Sequence, residues 1–292
     1  DSLTVAPERG SENLTQIQLC GQVLLADDVS TNQKVIKRLL ERTGVNVTLV
    51  RNGREALALA LEQSFDLIFM DMQMPVMNGY EACRALRDKG VSTAIVALTA
   101  HAMKGDRQKC LDAGCDDYLS KPIDTGQLGC IMSKYLSPAP IAALSQGNET
   151  STLDSAACDE TKGAQDLDLG SFKAGLNVLD LGHIIDWHTL TKSVGGQAFA
   201  QELLLEFIEH TLERLDLLAH AIEASDTEDI SFIAHAIKSS AATLKAKPLS
   251  RAAHQLEIAV ITGHPELAES RLADIHTEAM RLKSILPKLV KI

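Results

Sequence analysis

The stretch FDLIFMDMQMPVMNGYEA, residues 65–82, decides how the first half of this chain folds. Phe65 and the run Leu67-Ile68-Phe69-Met70 form the near-continuous apolar sequence of a central parallel strand covered on both faces, and Asp71 closes it. Met74-Pro75 and Asn78-Gly79 are turn chemistry, so a short loop leads to a helix that opens near Tyr80. The strand delivers one carboxylate to the edge at which open α/β sheets bind ligands.

The same rhythm repeats on both sides. Upstream, Val23-Leu24-Leu25-Ala26 ends in Asp27-Asp28, Ser30 is placed as a helix N-cap, and Val35, Ile36, Leu39 and Leu40 give a helical stripe. Gly44 closes that helix, residues 45–50 read as a second strand, and a helix over 54–62 follows. Downstream come a helix carrying Tyr80, Ala82, Ala85 and Leu86, and a strand over 94–98 that ends at Thr99. A helix over 103–113 stops at Gly114, Tyr118-Leu119 begin a short strand ending in Ser120-Lys121-Pro122, and a helix over 126–136 finishes the unit. Five strand-helix repeats predict a doubly wound α/β domain over residues 20–137, with a five-stranded parallel sheet in the order 2-1-3-4-5.

Residues 1–19 and 138–184 are polar and rich in Ser, Thr, Pro and Gly, and read as linkers. A flexible second linker would have an end-to-end distance of about 40 Å. The echo of Leu167-Asp168-Leu169-Gly170 in Leu179-Asp180-Leu181-Gly182 is too short to be a structural repeat. From Asp186 onward only helical patterns follow, punctuated by Pro248 and Gly263-His264-Pro265, so residues 185–292 predict an all-α four-helix bundle.

With 292 residues, 45% of them hydrophobic, the chain can bury two cores. A net charge of -11 disfavours nucleic-acid binding, which needs clustered Lys and Arg. The late cations Arg281, Lys283, Lys288 and Lys291 are interspersed with acids and apolar residues, as on a solvated helix face. Cys20, Cys83, Cys110, Cys115, Cys130 and Cys158 contain no C-x-x-C pair, which suits a reducing compartment rather than a disulfide framework or zinc site. No apolar run approaches the roughly 18 residues that span a bilayer, so the segment is expected to be cytoplasmic without membrane contact of its own. Because the sequence begins at Asp1 without a methionine, it is expected to be a piece of something larger, compatible with a parent anchored in the inner membrane.

Asp27, Asp28, Asp71, Thr99 and Lys121 each lie just past a strand, and in a parallel sheet those ends share one edge. Three carboxylates at one point repel unless a cation sits among them, and hard oxygen ligands suit Mg²⁺. A carboxylate can accept a phosphoryl group as nucleophile, with a metal, an ammonium and a hydroxyl stabilising the equatorial oxygens. Taken singly, these residues are explained as a helix cap, strand filler or surface charge; their joint placement argues for a site.

Over residues 22–136 the sequence resembles the receiver domain of two-component response regulators, a flavodoxin-like fold. The resemblance implies Asp71 as phosphoacceptor, Asp27, Asp28, Asp71 and the Gln73 backbone carbonyl as Mg²⁺ ligands, and Thr99 and Lys121 as contacts to the phosphoryl group. It further implies Tyr118, together with Thr99, as a conformational switch, a cis peptide before Pro122, and Gln73 and His101 at positions that modulate aspartyl-phosphate lifetime.

In the helical half, Ile230, Ile233, Ala234, Ile237, Ala241 and Leu244 form an apolar stripe, and His235 falls off it. Lys238 and Ser239, at i+3 and i+4, lie beside that histidine on the surface. By spacing alone, a solvated surface histidine explains His235 well. The word His235-Ala236-Ile237-Lys238-Ser239-Ser240, followed by His254-Gln255-Leu256-Glu257, resembles the histidine phosphotransfer domain over residues 186–291. That resemblance implies His235 as the phosphorylated residue with Lys238 and Ser239 as its environment. Ser239 and Lys245 stand where the family usually has glycine, and Lys245 must fit a turn that often wants positive φ. Phe232 is expected either to contact a docking receiver or to pack under the first short helix. His183, His188, His210, His220, His254, His264 and His276 show no metal-ligand spacing and read as surface or interface positions.

The resulting expectation is a phosphorelay segment resembling the carboxyl end of hybrid sensor kinases. An upstream histidine kinase domain loads Asp71, Asp71 passes the group to His235, and His235 phosphorylates a downstream response-regulator receiver. No D-x-G-x-G motif or kinase dimerisation helix is present, so this segment is not expected to phosphorylate itself from ATP. The competing expectations are a receiver switch with the bundle as a docking scaffold, and a sink that drains phosphoryl groups back through His235 and Asp71.

Overall fold

The computed structural model describes residues 18–99, 104–139 and 183–289. The expectations for His101, Cys158, Lys291, the Leu-Asp-Leu-Gly echo and most of both linkers fall outside the described residues.

The α/β domain begins with β1 (Leu19–Cys20), β2 (Gln22–Ala26), α1 (Ser30–Glu41), β3 (Asn46–Val50) and α2 (Gly53–Glu62). It continues through β4 (Leu67–Asp71), α3 (Gly79–Asp88), β5 (Ala94–Thr99), α4 (Lys104–Asp112), β6 (Asp117–Ser120), α5 (Thr125–Tyr135) and β7 (Ser137–Pro138). Strands β3-β2-β4-β5-β6 form one parallel sheet, the order expected from the five repeats. Alternation along the strands divides two apolar layers. Val23, Leu25, Leu67, Phe69, Val96 and Leu98 belong to one, and Leu24, Ala26, Ile68, Met70, Ile95 and Ala97 to the other. Truncating a fully buried side chain such as Phe69 to alanine would cost about 3–5 kcal/mol.

Two details differ from the expectation. Ser30 is the first residue of α1 rather than its cap: Val29 occupies the cap without a side-chain bond, and the Ser30 hydroxyl reaches Glu206 and His210 instead. Leu19–Cys20 also pair antiparallel with Ser137–Pro138, so the ordered domain takes in the last residue assigned to one linker and the first of the other.

The helical domain comprises α6 (Trp187–Val194), α7 (Gln197–Glu223), α8 (Thr227–Thr243), α9 (Lys247–Ile261), a 3₁₀ turn (Pro265–Leu267) and α10 (Ala268–Leu289). Asp186 caps α6 and Asp226 caps α8 through their side chains, as expected of acids preceding apolar periodicity. The turn after α8 puts Lys245 at φ 60°, so a lysine adopts the left-handed conformation that glycine takes without strain. Helices α7 to α10 form the bundle, and α1 of the receiver-like domain packs across α7 and α8. Among the described residues, no helix is long and apolar enough to cross a membrane.

Candidate functional site

The sheet topology gathers the predicted residues at one edge. Asp27 follows β2, Asp71 ends β4, Thr99 ends β5 and Lys121 follows β6, and all four are buried. Carboxylate oxygens of Asp27, Asp28 and Asp71 lie within 4.8 Å of one another. Lys121 Nζ donates to Asp27 Oδ2 at 2.7 Å and to Asp71 Oδ2 at 2.5 Å. The Lys121 N–H also donates to the Thr99 carbonyl at 2.7 Å, which ties the ends of β5 and β6 together, and the Lys121-Pro122 peptide is cis.

Charge in this cluster is not fully balanced. Burial, reinforced by Asp27 and Asp71, pushes Asp28 up to about 7, and burial raises Asp71 to about 6 against the pull of Lys121. Burial disfavours the Lys121 ammonium too, but Asp27 and Asp71 outweigh it and hold its pKa above the ordinary lysine range. Three acids, with Lys121 between two of them and Arg214 within electrostatic reach, still carry an excess of negative charge, and their oxygen-only donor set fits a hard divalent cation. Asn32 lies beside the cluster, its Nδ2 3.4 Å from Asp27 Oδ1, and its Oδ1 is buried without a hydrogen-bond partner.

The loop after Asp71 is tightly built. The Gln73 N–H donates to Asp71 Oδ1 at 3.2 Å while the Gln73 residue is exposed. Val76 stands at φ 69°, bracketed by a Met77 N–H to Pro75 carbonyl bond of 2.7 Å, a strained turn for a β-branched residue. Gly79 is required for close packing: a Cβ there would lie 2.2 Å from the Asp71 carbonyl oxygen. Asn78 and Glu81 then form a capping box that starts α3. Beside Asp71 an open cleft is lined by Gln73, Tyr80, Thr99, Asp106 and Lys109. Tyr118, on β6, is half-buried with the Arg107 guanidinium 5.8 Å from its ring centroid.

The second predicted site lies on α8. His235 Nδ1 is 2.7 Å from Glu257 Oε1, and Lys238 Nζ donates to Glu257 Oε2 at 2.5 Å. His254 Nδ1 approaches the same Oε2 at 3.2 Å. Burial opposes the ionisation of Glu257, but the hydrogen bonds from His235 and Lys238 outweigh it and bring its pKa down to about 2. Burial likewise holds the His235 pKa below the ordinary histidine range, against the pull of Glu257. A neutral imidazole whose Nδ1–H donates to Glu257 presents the Nε2 lone pair as a nucleophile.

The sequence places His235, Lys238 and Ser239 on the surface. In the structure they are 6%, 8% and 4% exposed. Glu257 of α9 engages His235 and Lys238, and the α/β domain packs on the same helix: Asn32 on α1 donates through Nδ2 to Ser239 Oγ at 3.1 Å, and its Nδ2 lies 3.4 Å from Asp27 Oδ1. Lys121, the lysine that bridges the acid cluster, is close enough to His235 to depress its pKa further. Phe232 is half-buried.

Sequence reasoning assigned no role to Glu257 or Asn32. Glu257 had a legible signal, since it borders the apolar stripe Leu249, Ala253, Leu256 and Val260 of α9, where a buried acid demands a partner. Asn32 had none, because its role depends on how two separate domains meet.

Residues 23–132 match the response regulator receiver domain family, and residues 202–288 match the Hpt domain family. The chain is 36% identical over 123 residues to two-component response regulator 24 of Arabidopsis thaliana, covering 42% of this chain and 87% of that protein. It is 38% identical over 154 residues to sensor histidine kinase GacS of Pseudomonas protegens, 51% of this chain and 16% of the relative. It is 44% identical over 112 residues to hybrid signal transduction histidine kinase I of Dictyostelium discoideum, 35% of this chain and 6% of the relative. The chain thus spans only 6% to 16% of the length of these two kinases. Two matched domains in this order, on a sheet edge and a histidine helix of the geometry described, lead to one conclusion: the chain belongs to the response regulator receiver family, carries an Hpt domain after its receiver, and is a two-component phosphorelay module.

Proposed function

We propose that Asp71 receives a phosphoryl group from an upstream kinase phosphohistidine and hands it to His235, which then serves a downstream receiver. The observation that carries the reading is Asn32, which reaches from Asp27 at the acid cluster to Ser239, one helical turn past His235. In the first step an Asp71 carboxylate oxygen attacks phosphorus and the P–N bond of the donor breaks, its electron pair returning to the leaving imidazole. Lys121 balances charge on the carboxylate and the transferring oxygens, and Thr99, which lines the cleft beside Asp71, would offer its hydroxyl to the same group. In the second step His235 Nε2 attacks phosphorus, the acyl P–O bond breaks, and Asp71 is regenerated as carboxylate. The product is a phosphoimidazolium whose Nδ1–H is held by Glu257, so no proton has to leave during transfer. Asp27, Asp28 and Asp71, with the Gln73 backbone carbonyl, would hold Mg²⁺, which when bound supplies positive charge to the phosphoryl oxygens.

The test supplies the chain with a phosphohistidine donor and Mg²⁺ and distinguishes acyl phosphate from phosphohistidine by their opposite stability to base and acid. Asp71→Asn should abolish both labels, while His235→Gln should retain the acyl phosphate and lose the phosphohistidine. A wild-type chain in which label stays on Asp71 while a competent downstream receiver is present would favour the scaffold function instead.

A further inference from the structure

Helices α1 and α7 run antiparallel where the two domains meet, and they match group for group. Ser30, Lys34 and Arg38, spaced by four, form one stripe of α1. Opposite them, in reverse order along α7, stand His210, Glu206 and Phe199. Ser30 Oγ lies 3.1 Å from Glu206 Oε1 and 3.3 Å from His210 Nδ1, Lys34 forms an ion pair with Glu206, and the Arg38 guanidinium is 4.2 Å from the Phe199 ring centroid. One turn past His210, Arg214 lies within electrostatic reach of Asp28 and Asp27. The Asn32 bond to Ser239 adds a contact at a position where glycine would offer no acceptor. A cation facing an acid, a cation over an aromatic ring and an amide facing a hydroxyl are not needed for apolar packing alone. Such matched polar groups select one partner over others.

We propose that this stripe is a self-recognition surface: the chain's own receiver is the partner that docks on its His235 helix, so transfer from Asp71 to His235 runs within one chain. This rests on the relay reading above. Residues 140–182 join the two domains, and at about 3.3 Å per residue they can extend roughly 140 Å, well beyond the roughly 50 Å width of a compact body of this size. A tethered partner of this kind acts at an effective concentration of about millimolar, which a dilute second chain does not match. His235 is buried with the receiver docked on its helix, so a downstream receiver must displace the chain's own receiver. To take its place it should offer a cation to Glu206 and a hydrogen-bond donor to Ser239.

The test uses full chains with a phosphohistidine donor and Mg²⁺, and reads the Asp71 and His235 labels separately. At saturating donor, the rate of His235 labelling should be unchanged by about 100-fold dilution of the chain. A mixture of Asp71→Asn and His235→Gln chains should label His235 at least about tenfold more slowly than wild type, in proportion to concentration. Lys34→Glu should slow His235 labelling by about tenfold with Asp71 loading unchanged, and the added Glu206→Lys exchange should restore it. Equal labelling in mixture and wild type, or a rate that falls on dilution, would overturn transfer within one chain and leave the relay intact. A Lys34→Glu chain at the wild-type rate, or a double variant that fails to recover, would remove the recognition stripe. Label on Asp71 that never reaches His235 at any concentration would instead defeat the relay reading itself.

Discussion

At the sheet edge a lysine sits between two carboxylates; on the histidine helix a carboxylate sits between an imidazole and an ammonium. The two sites are charge inversions of each other, and each depends on one central group. Lys121 keeps Asp27 and Asp71 from repelling, and Glu257 accepts from the His235 imidazole on one oxygen while pairing with the Lys238 ammonium on the other. The inversion is incomplete, because the acid cluster has a third carboxylate in Asp28, whereas the histidine site has a further imidazole in His254. A phosphoryl group would therefore leave a site that needs added positive charge for one that already carries its own.

The strongest way to break this comparison is to delete each centre. Lys121→Ala leaves buried carboxylates without their cation and should destabilise the receiver by about 3–5 kcal/mol in urea unfolding, with Mg²⁺ recovering part of the loss. Destabilisation that Mg²⁺ fails to relieve would count against a divalent site among Asp27, Asp28 and Asp71. Glu257→Gln should slow His235 phosphorylation by roughly 10- to 100-fold, comparable to loss of an outer partner of an active imidazole. Asp71 loading should stay at the wild-type level, and equal loss of both labels would show that Glu257 acts on folding alone.

Acid titration sharpens the contrast. His235 has a folded pKa below its unfolded value near 6.5, so its stability contribution is complete above about 6.5 and declines as pH falls below that. The melting-temperature advantage of wild type over His235→Gln should therefore shrink from pH 7 to pH 5; an advantage that grows on acidification would reverse the assigned direction. Glu257, brought down to about 2, contributes fully above about 4.5 and loses its contribution between there and about 2. The smallest effect belongs to the turn after α8. Lys245→Gly relieves a left-handed lysine and should stabilise the bundle by up to about 1 kcal/mol in thermal unfolding, with no change in either label.

The same contrast explains what could be read from the sequence. Parallel strands must end on one edge, so Asp27, Asp71, Thr99 and Lys121 could be brought together before any coordinates existed. Helices impose no such convergence: which face of α9 meets α8 depends on rotation and crossing, so Glu257 escaped notice although an acid bordering its apolar stripe was visible. Burial of His235 was illegible for a different reason, since its helix is packed against another domain, which brings Lys121 close to it. Ser30 was misread because its composition suits a cap, while its hydroxyl is taken by Glu206 and His210 across the domain boundary.

The short pairing of Leu19–Cys20 with Ser137–Pro138 has a consequence for modularity. It brings the way into the receiver and the way out side by side, with paired Cα atoms about 5 Å apart. A domain whose ends nearly touch behaves as a cassette: it can be excised or grafted without stretching the polypeptide on either side. Tension arriving along the chain would be shared across this two-stranded clasp before it reached the central sheet. The clasp would thus shield the geometry around Asp71 from whatever pulls on its flanks.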